Sequence, residues 1–346
     1  MAPSLLARYL ARRLALLVTT LWGVVTIVFL LIKAIPGDEA QAAAGVTATP
    51  EQVEVVRQRL GLDDSVVQQY LNYLGRLMHG DLGTSIFTFQ PVLGDLHQLI
   101  PYTVELVGLA MLINLTCGVP LGVLAAARHR TRTDNSVRLA AIFCGALPTF
   151  WLAMIAQTLI GRKLGLVPIS GVSTLGVDVP RRTGFLTVDS LLAGDLTAFS
   201  DALAHLVLPA AVLAIPFMSF VIRVVRGSMI TALEADHVTA ARAKGARERT
   251  VLLQHGLRNA IAPVSTLVGL QVGWMMGGAV MVETVFSRPG FGSYLTQAVA
   301  QKDTFAVIGM VLVVGVIVTF VGLVVDLVQL AADPRVRLLE TRRASA

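Results

Sequence analysis

Residues Glu234–Pro263 read EADHVTAARAKGARERTVLLQHGLRNAIAP, a polar, basic, helix-forming run in an otherwise apolar chain. Apolar stretches long enough to cross a bilayer flank it, near residues 206–222 and 260–282. The run therefore reads as a loop between two membrane spans. Ala232–Lys244 has helix-forming composition, Gly245 suits a C-terminal stop, and Glu248–Ala260 restarts a helix that leads into the next span. Small residues at Ala240, Ala241 and Gly245 would let this backbone sit deep in a partner's groove. A basic amphipathic helix could also lie on anionic lipid, but lipid requires no small-residue core.

The rest of the chain fits a membrane bundle. Its 346 residues are 55% hydrophobic and 14% charged, where soluble domains carry about 25% charge. Runs of spanning length, about 17–25 residues, lie near 14–32, 106–127, 139–160, 206–222, 260–282 and 305–325. The expected fold is all-α, a polytopic membrane protein of six transmembrane helices. The first run follows Arg8, Arg12 and Arg13. At 19 residues it exceeds the usual signal-peptide core of about 7–15, so it reads as an uncleaved anchor, although Ala42–Gly45 offers small residues for cleavage.

Charge sets the expected orientation. With the N-terminus inside, the inner segments hold 18 of the 28 basic residues and 7 of the 22 acids. Positive residues favour the cytoplasmic side, which places both termini there. This uneven distribution also accounts for the net charge of +6 without nucleic acid. Membrane lipid is the expected surrounding. Cys117 and Cys144 both fall in apolar runs and read as packing residues.

The expected layout is a cytoplasmic N-terminus with the first span over 1–33, then a small helical extracytoplasmic insertion over 34–100. A core of five spans follows over 101–330, with a cytoplasmic loop at 228–260, and a cytoplasmic tail over 331–346. Within the insertion, Thr49-Pro50-Glu51-Gln52 predicts a capped helix start ended by Gly61. A second helix begins near Ser65 and stops at Gly80. The other large exported loop, 161–204, reads as irregular with a short helix near Val188–Leu192.

Inside the spans, Pro120, Pro148, Pro209 and Pro216 interrupt helical hydrogen bonding and permit kinks. Gly269, Gly273 and Gly277 recur every four residues and offer a smooth face to another helix. Asn114, Gln157 and Gln271 are mid-span polar groups, suited to interhelical hydrogen bonds or to a polar solute path. A charge at Gly273 is expected to harm packing more than one at Gln271. Glu105, His205, Glu283 and Asp326 fall near span ends, where water or headgroups are expected to solvate them.

Several function classes lose support. A phosphate-binding loop needs Gly-Lys-Ser/Thr, and none of the four lysines, Lys33, Lys163, Lys244 and Lys302, has that context. The six histidines show no metal-ligand spacing, and His237 and His255 read as surface residues. No catalytic, cofactor-binding or metal-binding set emerges. A secondary carrier usually has more spans and charged or broken helices at mid-membrane.

The segment Thr239-Ala240-Ala241-Arg242-Ala243-Lys244-Gly245 resembles the "EAA" coupling segment of ABC importer permeases. Thr239 stands where many members have Glu, and Leu257-Arg258 where many have Leu-Pro. ARAKG followed by HGLRNAIAP is similar to the dipeptide/oligopeptide/nickel branch, and other stretches resemble its B-type permease. These are ArgArgLeu (12–14), IPGDEA (Ile35–Ala40), GDLGTS (Gly80–Ser85), ALPTFW (Ala146–Trp151), LGLVPISG (Leu164–Gly171), HLVLPA (His205–Ala210), GGAVMVETVFSRPGFG (Gly277–Gly292) and DPRVR (Asp333–Arg337).

The resemblance implies a permease subunit in the cytoplasmic membrane of a prokaryote. Its partners would be a second homologous permease, two ATP-binding subunits or domains, and an extracytoplasmic substrate-binding protein. ATP and Mg would be held by the ATPase partners and not by this chain. Glu234, Asp236, Thr239, Ala240, Ala241, Arg242, Lys244, Gly245 and Arg258 would form the ATPase-coupling surface. Di- or oligopeptides are the expected cargo, with nickel complexes or glutathione-like peptides as alternatives.

Overall fold

The computed structural model describes residues 3–34, 37–45, 47–174 and 179–332. Among them regular structure is helical, apart from one isolated β-bridge between Thr84 and Pro91. In a bilayer, helices satisfy their own backbone hydrogen bonds, which is why an apolar chain of this length takes that form. Among the described residues five helices are long and apolar enough to cross a membrane, or six if one bent pair counts as a single span. Much of their surface is exposed and apolar, for example Leu16, Trp22, Ile27, Leu30 and Leu31 on the first, a surface suited to lipid.

The chain divides into two compact units. The first comprises residues 1–102 and 289–317. It contains α1 (Pro3–Ala34), α2 (Glu39–Ala44), α3 (Pro50–Arg59), α4 (Val66–Met78) and the start of α5 (Val92–Ala127). The capping box predicted at α3 is present, with Thr49 and Gln52 bonding reciprocally. Ser65 caps α4, and Gly61 and Gly80 take left-handed φ angles past the ends of α3 and α4. In the GDLGTS stretch, Gly83 has φ +88° and lies so close to Phe305 that a Cβ would come within 2.8 Å of its ring. Ser85 Oγ donates to Asp303 Oδ2 at 2.6 Å and the Ile86 amide donates to the same oxygen at 2.8 Å. Burial pushes the Asp303 carboxyl above the usual range, and these donors offset part of that.

The second unit comprises residues 103–288 and 318–346. It holds the rest of α5, α6 (Arg132–Ala146), α7 (Thr149–Ala156), α8 (Leu186–Leu192), α9 (Leu196–Leu233) and α10 (Asp236–Ala243). The short α11 (Glu248–Thr250) runs through a π-helical stretch, Val251–Leu257, into α12 (Arg258–Val285). Helix α13 (Phe291–Ala300) and the start of α14 (Thr304–Ala332) belong to the first unit, and the rest of α14 belongs to the second. The helix expected near Val188–Leu192 is α8. Residues 35–36, 175–178 and 333–346 lie outside the described residues, and with them part of the IPGDEA stretch and all of DPRVR.

The third apolar run, expected as one span over 139–160 with a kink permitted at Pro148, bends more sharply than a kink. It breaks at Leu147-Pro148 into α6 and a segment, Thr149–Lys163, bent by 98°. Leu147 is extended, with φ −79° and ψ 128°, as the residue before a proline prefers. By contrast, Pro209 and Pro216 sit inside an uninterrupted α9.

Helix α9 is the hub of this unit, and small residues bring its neighbours close. A Cβ on Gly122 would lie 2.7 Å from Val225 and 3.0 Å from the Ile222 carbonyl oxygen, and one on Gly118 would lie 3.1 Å from Val221. A Cβ on Gly145 of α6 would lie 2.5 Å from Ser219 Oγ. The tightest four-residue glycine repeat is therefore Gly118–Gly122. Gly269 and Gly273 face Val325 and Val318 of α14 at ordinary contact distance, while Gly277 meets open space. The expected glycine face is thus used over two of its three positions.

Candidate coupling loop and span interior

Helix α9 ends at Leu233, capped by Glu234, and Ala235 is extended before α10 begins at Asp236. The helix expected over Ala232–Lys244 is therefore broken near its start. Asp236 in the first turn of α10 complements the positive end of the helix dipole. At the other end the Gly245 amide donates to the Arg242 carbonyl at 2.9 Å and the Ala246 amide to Ala241 at 3.1 Å. This paired 5→2 and 6→1 pattern needs a left-handed residue, and Gly245 supplies φ +83°. A Cβ there would meet nothing within 4 Å, so the glycine is needed for its backbone angle and not for space within this chain.

Arg242 spans the turn to Glu248, with Nη2 2.8 Å from Oε1. Glu234, Asp236, Thr239, Ala240, Arg242, Lys244, Gly245 and Arg258 are exposed, and Ala241 is half-buried. The sequence-predicted coupling residues thus form a solvent-facing surface with little side-chain bulk at its centre. His237 is exposed too; its ring centroid lies 5.9 Å from that of half-buried His255, closer than their separation in sequence suggests.

The inner face of the loop is anchored. Val238 and Val251 are fully buried. A Cβ on Gly256 would sit 2.8 Å from Met229 Cε and 3.4 Å from Leu233, so the π-helical stretch presses directly on α9. Met229 belongs to a core with Ala126, Val221, Val225 and Ala260, with Leu233, Leu252 and Leu257 packed around it. Three spans, α5, α9 and α12, therefore share one core with the loop. An ion pair, buried at Asp134 and half-buried at Arg226, joins α6 to the same hub: Arg226 Nε and Nη2 donate to Asp134 Oδ1 and Oδ2 at 2.6 and 2.8 Å.

The mid-span polar residues divide. Asn114 Nδ2 donates to Gln271 Oε1 at 2.8 Å, and Gln271 Nε2 donates to the Phe217 carbonyl at 2.9 Å. Asn114 and Gln271 are both fully buried, and these bonds tie α5, α12 and α9 together. Gln157 lies at the start of the π-helical end of α7. It donates to the carbonyls of Ile169 and Val285, both at 2.8 Å, and so pins the LGLVPISG loop to the end of α12.

The ionisable groups near span ends are not solvated as expected. Glu105, His205 and Glu283 are all buried. Thr187 covers Glu105, donating from its amide at 2.8 Å and its hydroxyl at 2.7 Å, and Arg288 Nη2 lies 3.6 Å away. Thr103 donates to Glu283. His205 rests on the Asp201 carbonyl at 2.9 Å. The segment carrying α8 folds over Glu105, a tertiary effect that hydropathy along the chain does not reveal. The one available signal was Arg288, a charge embedded in the GGAVMVETVFSRPGFG stretch. Asp326 is half-buried.

A family model described as "Binding-protein-dependent transport system inner membrane component" matches residues 118–338. A second, for the N-terminal part of such membrane components, matches residues 6–107. The chain belongs to this transport family. It is a multi-pass permease of the ABC importer class, situated in the inner membrane. The permease is 39% identical over 330 residues to the di/tripeptide transport system permease protein DppB of Pseudomonas aeruginosa, covering 95% of this chain and 98% of that one. It is 37% identical over 334 residues to the dipeptide transport system permease protein DppB of Escherichia coli K12, with the same coverage. Among solved structures, the inward-facing MetNI methionine ABC transporter matches with TM-score 0.54 at 14% identity, over 70% of this permease and 98% of that chain, a likeness of fold alone.

Proposed function

We propose that this permease forms half of a path for di- and oligopeptides and is driven through Glu234–Gly245 by ATPase subunits on the cytoplasmic side. Both termini lie on that side in this reading. A second homologous permease completes the path, a substrate-binding protein delivers cargo from outside, and ATP with Mg stays on the ATPase partners. The peptide assignment rests on relatives named for di/tripeptide and dipeptide transport. The observation that carries the coupling role is the loop's two-sidedness. Its outer face is exposed and small, while Gly256 and Val238 fix its inner face to the core shared by α5, α9 and α12. A partner that moves the outer face must then move the spans. Such a partner biases the spans only through contacts that differ between two states.

The test compares two substitutions at Gly245 in the assembled transporter. Gly245→Val should lose coupled transport, because a β-branched residue at φ +83° costs at least about 1–2 kcal/mol and deforms the turn. Gly245→Asn should retain most of it, since Asn tolerates that angle. Co-purification of ATPases with unchanged stimulation by loaded binding protein in the Val variant would remove the coupling assignment.

A further inference from the structure

Helix α4 carries an apolar stripe that the described residues leave open. Val67, Leu71 and Met78 are 67%, 54% and 83% exposed, and half-buried Leu74 lies between them. Their spacing, i, i+4, i+7 and i+11, puts all four on one side of the helix. A second side carries Gln68, Gln69, Asn72 and Arg76, which bond to polar groups close by. Gln68 donates to Asn72 Oδ1 at 3.0 Å, Gln69 to the Asp64 carbonyl at 2.8 Å and Arg76 to Asp81 at 2.9 Å. A third side, with Tyr70 and Tyr73, faces the spans.

Those two tyrosines fix the depth of α4. Helix α1 ends where α14 starts, since Lys33 and Phe305 line one cavity, and a Cβ on Gly315 of α14 would lie 2.6 Å from Leu21 of α1. The two spans are therefore antiparallel. Tyr73 stacks on Phe305 with ring centroids 5.7 Å apart. Tyr70 donates its hydroxyl to Thr26, whose own proton goes to the Trp22 carbonyl at 2.8 Å, and its ring centroid lies 5.3 Å from that of Phe29. Counted from the Leu21–Gly315 contact, Phe305 stands ten residues toward the ends of the spans and Thr26 five, so Tyr70 reaches about 8 Å deeper than Tyr73.

The uncharged run of α1, Leu14–Ile32, has 19 residues and a length of about 28 Å, close to the hydrocarbon thickness of about 30 Å. It has no length to spare. Lys33 therefore marks the membrane boundary, and Thr26, seven residues before it, lies about 10 Å inside. Around the α4 axis, at about 100° per residue, Tyr70 leans toward the apolar stripe and Tyr73 toward the polar side. The stripe thus points into the bilayer and the polar side out of it.

We propose that α4 lies in the plane of the membrane as an interfacial helix, with Val67, Leu71, Leu74 and Met78 among the acyl chains of the leaflet where α1 ends. The apolar faces of such helices sink about 5–10 Å below the headgroup boundary, the depth that the Thr26 contact requires. At the same depth α1 exposes Ile27, Leu30 and Leu31, so both helices meet the same lipid. This placement is independent of cargo, of ATPase partners and of the side of the membrane on which α1 ends.

The experiment is spin-label accessibility in the assembled transporter, carrying Cys117→Ala and Cys144→Ala and reconstituted in phosphatidylethanolamine–phosphatidylglycerol vesicles. The label is attached through Val67→Cys, Leu71→Cys, Gln68→Cys or Asn72→Cys; all four positions are exposed, so the label fits without disturbing the fold. Oxygen concentrates in hydrocarbon and a nickel chelate in water. Labels at Val67→Cys and Leu71→Cys should collide more with oxygen, and those at Gln68→Cys and Asn72→Cys more with the chelate, a reversal between neighbours in sequence. Preference for the chelate at all four would place α4 in water and overturn the proposal. Low collision rates with both probes at Val67→Cys and Leu71→Cys would show a partner protein covering the stripe, and would overturn it too. If one variant fails to assemble, the other of its pair decides.

Discussion

Gln271 draws its partners from distant parts of the chain. Its type and mid-span position suggested interhelical hydrogen bonds or a polar solute path, and a charge at Gly273 was expected to do more harm than one at Gln271. The structure gives Gln271 the closer polar partners. Gln271 is fully buried, accepting from Asn114 and donating to Phe217. A Cβ at Gly273 would meet Val318 at 3.6 Å, an ordinary contact. Gln271→Glu loses the donor to Phe217 and places a charge in low dielectric, so it should destabilise by about 3 kcal/mol. Gly273→Ala should stay within about 1 kcal/mol. Thermal melting of the two purified variants checks this; a lower melting temperature for Gly273→Ala would refute the ordering. Regular spacing made the glycines conspicuous in the sequence, whereas the partner of Gln271 lies 157 residues away.

Between elements, two carboxylates fasten helices to their surroundings. Asp134 ties the start of α6 to α9 through Arg226. Removing one member of a buried pair typically costs about 3–5 kcal/mol, because the other charge is left unpaired. Asp134→Asn should therefore melt well below the parent, and Arg226→Lys should also lose stability, since an ammonium cannot reproduce the two-pronged contact. Asp134→Asn combined with Arg226→Gln should recover part of the loss. Strict additivity of the two single changes would show that the pair is not coupled.

Asp189 works differently, outside the spans. Burial opposes its ionisation, but donors from Thr183, Arg182 and Gly184 outweigh burial and hold the carboxyl below its usual range. A depressed folded-state pKa gives stabilisation that is fully present above the unfolded value, about 3.9, and is lost as pH falls through the folded one. Amide exchange at Thr183 and Gly184 should accelerate over that acid window, and Asp189→Asn should abolish the pH dependence. The short helix α8 was legible in sequence from its composition. The carboxylate that closes the preceding turn on itself was not, because Asp is ordinary in a polar loop.

For the molecule as a whole, the helical membrane architecture was legible from the length of the apolar runs, which the bilayer thickness dictates. The break at Pro148 was legible as a weak point in a helix but not as a 98° bend, since a proline permits a kink without fixing its angle. Orientation rests on the distribution of charge, with 18 of 28 basic residues in segments assigned to the inside. Impermeant thiol labelling of intact cells tests it. The chain's own thiols, Cys117 and Cys144, are first replaced by alanine, because Cys117 is exposed. Into that background go Lys244→Cys in the coupling loop and Glu51→Cys in α3, both exposed positions on opposite sides of the proposed arrangement. Glu51→Cys should react in intact cells. Lys244→Cys should react only after the membrane is opened, and more slowly still when ATPase subunits occupy the loop. The reverse pattern would invert the topology and leave the loop with no access to cytoplasmic ATPases, and the proposed coupling mechanism would fail with it.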